Sequence, residues 1–109
     1  MEFDGEIDLA QMTKAADKAS ALMKTLGHKG RLMVLCQLAS SEKSVGELSE
    51  SLGIPQSPLS QHLSRMRKEG LVGTRREAQT IFYSLKSDDA GKIIECLYGL
   101  YCAPDCATD

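Results

Sequence analysis

Ser-Val-Gly-Glu-Leu-Ser-Glu-Ser-Leu-Gly-Ile-Pro-Gln-Ser-Pro-Leu-Ser-Gln-His-Leu-Ser-Arg-Met-Arg-Lys-Glu-Gly-Leu-Val, residues 44–72, is the stretch that decides the fold of this chain. Its first part has the pattern of a capped helix, because Ser44 is followed three positions later by Glu47. Each side chain of such a pair accepts a hydrogen bond from the other residue's backbone N–H. Glycine is a common helix terminator, so the pattern predicts a short helix between Ser44 and Gly53.

A second helix is predicted after a short turn. Ser57 and Pro58 indicate its N-cap and its first residue, because a proline at that position costs no helical hydrogen bond. We expect this helix to run from about residue 58 to residue 69 and to end at Gly70. Its apolar residues recur at helical spacing and predict a buried side: Leu59, Leu63 and Met66. Two short helices joined by a turn are typical of a helix-turn-helix.

The opposite side of the second helix is polar, mainly towards its N-terminal end. The second helix of a helix-turn-helix lies in the major groove of DNA. There, hydroxyls and amides can contact phosphates or base edges, and arginine suits phosphate or guanine. We therefore predict that this helix contacts double-stranded DNA through the following residues: Ser57, Ser60, Gln61, His62, Ser64 and Arg65.

A β-hairpin is predicted directly after the two helices. Leu71 and Val72 begin a strand-like run, residues 78–80 can form a turn, and residues 81–85 are rich in β-forming side chains. Arg75 and Arg76 lie near the tip, where we expect them to contact the DNA backbone. The stretch therefore predicts a winged helix-turn-helix with a two-stranded wing.

Charge is distributed unevenly along the chain. The whole sequence carries a net charge of −2, which by itself argues against nucleic acid. Residues 61–86, however, hold six basic and two acidic side chains, so this segment carries +4 and the remainder −6. Local charge decides phosphate contact, because charges more than about 10 Å apart are largely screened at ordinary salt. The basic segment coincides with the second helix and the hairpin.

Three further helices complete the predicted fold. Apolar residues recur every three or four positions over residues 9–26 and 93–101, and residues 28–39 form another helical pattern. Asp88 or Asp89 can cap the last helix. We expect one mainly α domain over residues 1–109, with five helices, a two-stranded wing and short N- and C-terminal tails. So short a chain has too little core to cover both outer apolar stripes, so we expect a homodimer that binds a palindromic operator.

Other classes of protein are poorly supported. The first ten residues are acidic and lack the features of a secretory signal, and no apolar run approaches about 18 residues. We therefore expect a cytoplasmic protein that does not enter a membrane. A thiol-based redox enzyme is a less favoured alternative, because the chain has no Cys-x-x-Cys motif and no βαβ pattern. We expect no enzymatic activity and no cofactor.

Four cysteines in 109 residues suggest thiol chemistry. Cys36 lies on the apolar face of the 28–39 helix, where cysteine is usually a small buried hydrophobe. Cys96, Cys102 and Cys106 cluster near the C-terminus, and structural disulfides are uncommon in intracellular proteins. Cys96 and Cys102 lie about 240° apart around a helix, so they cannot both face Cys36. A role in packing or in the dimer interface is favoured for Cys96.

From about residue 20 to residue 102 the chain resembles the ArsR family of winged-helix repressors, and within it the persulfide-sensing branch. Most motifs that carry the resemblance belong to the wider family, such as Leu59-Ser60-Gln61-His62-Leu63, Gly70-Leu71-Val72 and Tyr83-Ser84-Leu85. The sign of the branch is Cys36 in the second helix together with Cys102 at the end of the last helix. The resemblance implies a homodimer that binds DNA when these two cysteines are reduced. It also implies release of the DNA when reactive sulfur species join them through a di- or polysulfide bridge.

Metal sensing is the alternative function, because better-known members of this family bind metals. Zinc ligands are scarce here, since His28 and His62 are the only histidines and neither lies in the last helix. A thiolate site of Cys36, Cys102 and Cys106 for As(III) or Cu(I) stays open, because soft ions need only sulfur ligands. We assign no metal ligands and keep Cys106 as an additional candidate thiol.

Overall fold

The computed structural model describes residues 8–102, which form five helices and three short strands. In chain order the elements are α1 (Leu9–Leu26), α2 (Lys29–Ser40), β1 (Lys43–Ser44), α3 (Val45–Leu52), α4 (Gln56–Lys68), β2 (Val72–Glu77), β3 (Thr80–Leu85) and α5 (Asp88–Tyr101). This is the predicted winged helix-turn-helix: α3 and α4 are its two helices, and β2 and β3 form the wing. None of the helices in the described part of the chain is long and apolar enough to cross a membrane.

The sheet has one strand more than the sequence indicated. β2 and β3 pair antiparallel from Val72 opposite Leu85 to Glu77 opposite Thr80, and the two-residue strand β1 pairs with the other edge of β3. Because Ser44 ends β1 immediately before α3 begins, this pairing connects the wing to the start of the helix-turn-helix.

The predicted capping box at the start of α3 is confirmed. The Ser44 hydroxyl accepts a hydrogen bond from the Glu47 N–H at 3.2 Å, and the Glu47 carboxylate accepts one from the Ser44 N–H at 2.9 Å. The helix ends at Gly53, whose φ of 69° lies in the left-handed region that favours glycine. The turn between α3 and α4 is therefore fixed at its beginning by local sequence.

The predicted start of α4 was wrong. The helix begins at Gln56 and its N-cap residue is Pro55, so Ser57 and Pro58 lie inside the first turn rather than at the cap. Pro55 has φ −57° and ψ 150°, an extended conformation that leads into the helix. Pro58 is tolerated because the first N–H groups of a helix have no intrahelical acceptor.

The predicted cap of α5 was also wrong by one residue. The N-cap is Ser87, whose hydroxyl accepts a hydrogen bond from the Ala90 N–H at 3.1 Å. Asp88 and Asp89 lie in the first turn, where negative charge stabilises a helix through its dipole.

Packing in the hydrophobic core determines which side of α4 faces solvent. The three residues predicted to face inward, Leu59, Leu63 and Met66, are all 0 % exposed. They pack with buried residues of the other elements, among them Val34, Leu35, Leu48 and Val72. Each such side chain contributes about 1.5–3 kcal/mol when it leaves water. Burial of this side of α4 leaves its polar side facing outward.

Candidate nucleic-acid interface and thiol groove

Five of the six α4 residues that were predicted to contact DNA lie on an exposed polar face of the helix. These side chains are all exposed: Ser57, Ser60, Gln61, Ser64 and Arg65. They lie on a helix whose opposite side is buried in the core, so their backbone positions are fixed. The face offers three hydroxyls, one amide and one guanidinium, which are groups that bind phosphate oxygens and base edges.

His62 lies apart from that face. It is half-buried on the flank of α4, and its ring centroid is 4.6 Å from that of His28, the N-cap residue of α2. Burial lowers the pKa of His62, and the neighbouring His28, Arg31 and Arg65 lower it further. His62 therefore packs beside His28 instead of facing outward with the other five residues, and its contact with DNA stays a prediction.

The two wing arginines have different environments. Arg75 donates from Nε to both carboxylate oxygens of Glu42, at 3.1 and 3.2 Å, and from Nη1 to Glu77 at 2.7 Å. Its guanidinium also lies 4.9 Å from the ring centroid of Phe82. The pKa of Arg75 is raised by these two carboxylates, and its hydrogen bonds lower the pKa of Glu42. Arg75 therefore braces the wing against the loop before β1.

Arg76 keeps its charge available. Its Nε donates to the backbone carbonyl of Ala78 at 3.3 Å, and no carboxylate pairs with it within residues 8–102. Sequence reasoning treated the two arginines alike, because Glu42 is 33 positions away from Arg75 and no local pattern indicates that they meet.

A groove of about 1070 Å³ lies between α2, α5 and the end of β3. Cys36 from α2 and Cys102, the C-cap of α5, both line it. Its walls are largely apolar and include Leu32, Leu85, Leu97, Tyr98 and Tyr101. The fold therefore brings to one groove the two cysteines that the sequence had singled out.

Cys36 is exposed in this groove instead of packed inside the core. Partial burial raises the pKa of its thiol, and the neighbouring Cys102 raises it further. Cys96 is also exposed but does not line the groove, in agreement with its predicted position on another side of α5. Cys106 lies outside the described residues.

The structure groups no metal-ligand set within its described part. Over residues 8–102, no three side chains of His, Cys, Asp or Glu come together in a way that could hold a metal ion. The soft-metal alternative needs Cys106 as its third thiolate, and that residue is outside this range.

A helix-turn-helix with an exposed polar second helix and a cationic wing defines a winged-helix DNA-binding protein. Comparison with known proteins indicates the family within this class. Residues 28–74 match the model of the bacterial regulatory protein, arsR family. The biofilm growth-associated repressor of Agrobacterium fabrum is 52% identical over 101 residues, which cover 93% of this chain and 86% of that protein.

A second relative is the transcriptional activator HlyU of Vibrio cholerae, 49% identical over 88% of this chain and 89% of its own length. The solved structure of reduced HlyU from the same species superposes with a TM-score of 0.83, at 49% identity, and covers 87% of this chain and all of that one. The chain therefore belongs to the ArsR family of DNA-binding transcriptional regulators. Its relatives are named both as repressors and as activators.

The raised pKa of Cys36 leads to a testable prediction. The alkylation rate of Cys36 with iodoacetamide, followed by mass spectrometry across pH, should rise with a midpoint above the ordinary thiol value of about 8.5. Cys102→Ser should lower that midpoint, because it removes the second cause of the raised pKa and leaves only burial. Cys96→Ser is the control and should change nothing. A midpoint at the ordinary value, or one that Cys102→Ser leaves unchanged, would contradict this reading of the groove.

Proposed function

We propose that this ArsR-family regulator is a homodimer whose operator affinity falls when reactive sulfur species join Cys36 to Cys102. The observation that carries the proposal is that these cysteines, from α2 and α5, line one groove. Support also comes from the relative HlyU, whose solved structure is described as that of its reduced form.

The proposed reaction uses ordinary sulfur exchange. One thiolate attacks a sulfane sulfur of a persulfide or polysulfide donor, and the donor leaves as a reduced thiolate. The second thiolate then attacks the sulfur chain on the first cysteine and expels hydrosulfide. The two cysteine sulfurs are oxidised and the donor sulfur is reduced. The raised pKa of Cys36 disfavours its thiolate, so we assign the first attack to Cys102 and the second to Cys36.

The bridge is proposed to act on DNA binding through α2. This helix contacts α5 and also α3 and α4, so it connects the groove to the helix-turn-helix. Joining Cys36 to Cys102 would tie α2 to the end of α5 and bias the position of α4. Coupling energies of about 2–3 kcal/mol between two sites change affinity by roughly 30- to 150-fold.

The proposed dimer interface is formed by α1 and α5, where large apolar side chains are exposed. On α1 they are Leu9, Met12 and Met23, and on α5 they are Tyr98, Leu100 and Tyr101. All six are more than half exposed, and monomeric proteins seldom leave large apolar areas uncovered. A second copy would cover them and would also supply a second recognition helix for a palindromic site.

The proposed DNA contacts divide into base-reading and phosphate-binding residues. Gln61→Ala or Ser60→Ala should weaken binding to the specific operator by about 1–3 kcal/mol if the side chain contacts a base. Arg76→Ala should weaken binding to all sequences and reduce the salt dependence by about one phosphate contact. Arg75→Ala should weaken binding less than Arg76→Ala does, because Arg75 is already paired with the carboxylates of Glu42 and Glu77.

These affinities are measured by fluorescence anisotropy with operator and scrambled duplexes at several salt concentrations. Unchanged operator affinity in all four variants would exclude this docking mode. A larger loss of phosphate binding for Arg75→Ala than for Arg76→Ala would contradict the distinction between the two wing arginines.

The dimer is tested by sedimentation equilibrium. The wild-type chain should have a mass near twice 11.9 kDa, and Leu100→Lys should shift it towards the monomer, because a charge cannot be buried without a partner. Ile81→Lys is the matched control: Ile81 is another exposed apolar residue, but it lies in the wing and should leave the mass unchanged. A wild-type monomer at micromolar concentration that still bound a palindrome tightly would refute the dimer.

The switch is tested by replacing the cysteines one at a time. Cys36→Ser and Cys102→Ser should each keep DNA binding and abolish its loss on treatment with persulfide donors, whereas Cys96→Ser should keep the response. Anisotropy measures release, and mass spectrometry identifies the cysteines joined. A Cys36→Ser protein that still released DNA normally would shift the site to Cys102 with Cys106 and exclude the proposed bridge.

A further inference from the structure

Thr25, near the C-terminal end of α1, is fully buried although it is polar. Its hydroxyl donates a hydrogen bond of 2.7 Å to Oε1 of Glu69, a residue 44 positions later and the C-cap of α4. The other carboxylate oxygen of Glu69 accepts from Nε of Arg65 at 3.3 Å, one turn back on α4. A chain of two charge-assisted hydrogen bonds therefore runs from α1 to an exposed residue of the DNA-facing helix.

Arg31 of α2 holds the same end of α1. Its Nε donates to the Thr25 carbonyl at 3.0 Å and its Nη2 to the Lys24 carbonyl at 3.3 Å. These carbonyls lie in the last turn of the helix, where backbone acceptors lack intrahelical partners. The pKa of Arg31 is lowered mainly by burial and further by the positive charge of Arg65. The negative charge of Glu69 opposes that change. Glu69 therefore pairs directly with Arg65 and also interacts electrostatically with Arg31.

We propose that Thr25, acting through Glu69, is a positioning residue for DNA recognition by Arg65. The proposal rests on the DNA interface proposed above and adds to it a buried residue of α1. The buried hydroxyl fixes the Glu69 carboxylate, and the carboxylate fixes the Arg65 guanidinium through Nε. Within residues 8–102 neither Nη atom of Arg65 has a recorded hydrogen-bond partner, so the two outer nitrogens are free to bind a phosphate.

Thr25 is suited to this role because it lies on α1, a helix of the proposed dimer interface. α1 packs chiefly on α2, so the bond to Glu69 is a direct link between the dimer scaffold and the end of α4. A fixed guanidinium loses less conformational freedom when it binds phosphate than a free one does. In this proposal the geometry of the dimer is passed from α1 to the end of α4 directly, through the bond between Thr25 and Glu69.

The test compares a variant that removes the Thr25 hydroxyl with a variant that keeps it. Thr25→Val keeps the shape of the side chain and removes the hydroxyl, whereas Thr25→Ser keeps the hydroxyl. We expect Thr25→Val to lower operator affinity about 5- to 20-fold, a range typical of coupling between sites, and Thr25→Ser to stay near wild type. Thr25→Val should also flatten the salt dependence by about one phosphate contact, a change that partial unfolding would not produce. Sedimentation and thermal melting check that the variants fold and associate alike.

A double-mutant cycle with Arg65→Ala separates positioning from general stability. If Thr25 acts through Arg65, then Thr25→Val should cost nothing further in the Arg65→Ala background. Two results would overturn the role of Thr25 and leave the DNA interface intact. The first is a full additive loss of affinity for Thr25→Val in the Arg65→Ala background. The second is wild-type affinity of Thr25→Val while Gln61→Ala still loses affinity. If Arg65→Ala and Gln61→Ala were both without effect, the proposed interface itself would fail.

Discussion

The packing of α2 is the constraint on which the rest of the structure depends. Val34 and Leu35 are 0 % exposed and Leu38 is 3 % exposed, and this helix contacts α1, α3, α4, α5 and the sheet. Close-packed interiors transmit displacements, because side chains cannot move without disturbing their neighbours. α2 therefore cannot shift alone, and a force on it reaches both the proposed dimer helices and the DNA-facing helix.

Cys36 lies at a position on α2 where such a force can be applied. Its neighbour Leu35 is buried in the core, while Cys36 itself opens onto the groove that α5 borders. A covalent bridge there would act on a helix that is held tightly on its other side. In the proposed switch, the protein needs no large rearrangement: a small rotation of α2 would move α4 relative to the partner's recognition helix. Operator binding is sensitive to that spacing, because two half-sites must be met at once.

Features that depend on residues close together in the chain were predicted more accurately than contacts between distant residues. The capping box at Ser44 and the buried side of α4 follow from residues three to seven positions apart, and the structure confirmed them. The start of α4 was misplaced because Pro55 and Pro58 both suit a helix beginning, and the choice between them depends on the turn after Gly53. Strand β1 was missed because a two-residue strand has no periodicity of its own and exists only through its partner β3.

The candidate site shows the same difference between local features and distant contacts. Residue types indicated which cysteines and polar side chains to consider, but not that Glu42 would pair with Arg75 across 33 positions or Glu69 with Thr25 across 44. The raised pKa of Cys36 is also a property of the fold, since it arises from burial and from Cys102. A thiol with a raised pKa initiates attack poorly, yet it can still close a bridge. Once sulfur is attached to Cys102, the attack by Cys36 is intramolecular and benefits from a high effective concentration, which offsets a small thiolate fraction. The raised pKa of Cys36 is therefore compatible with its proposed part in the switch.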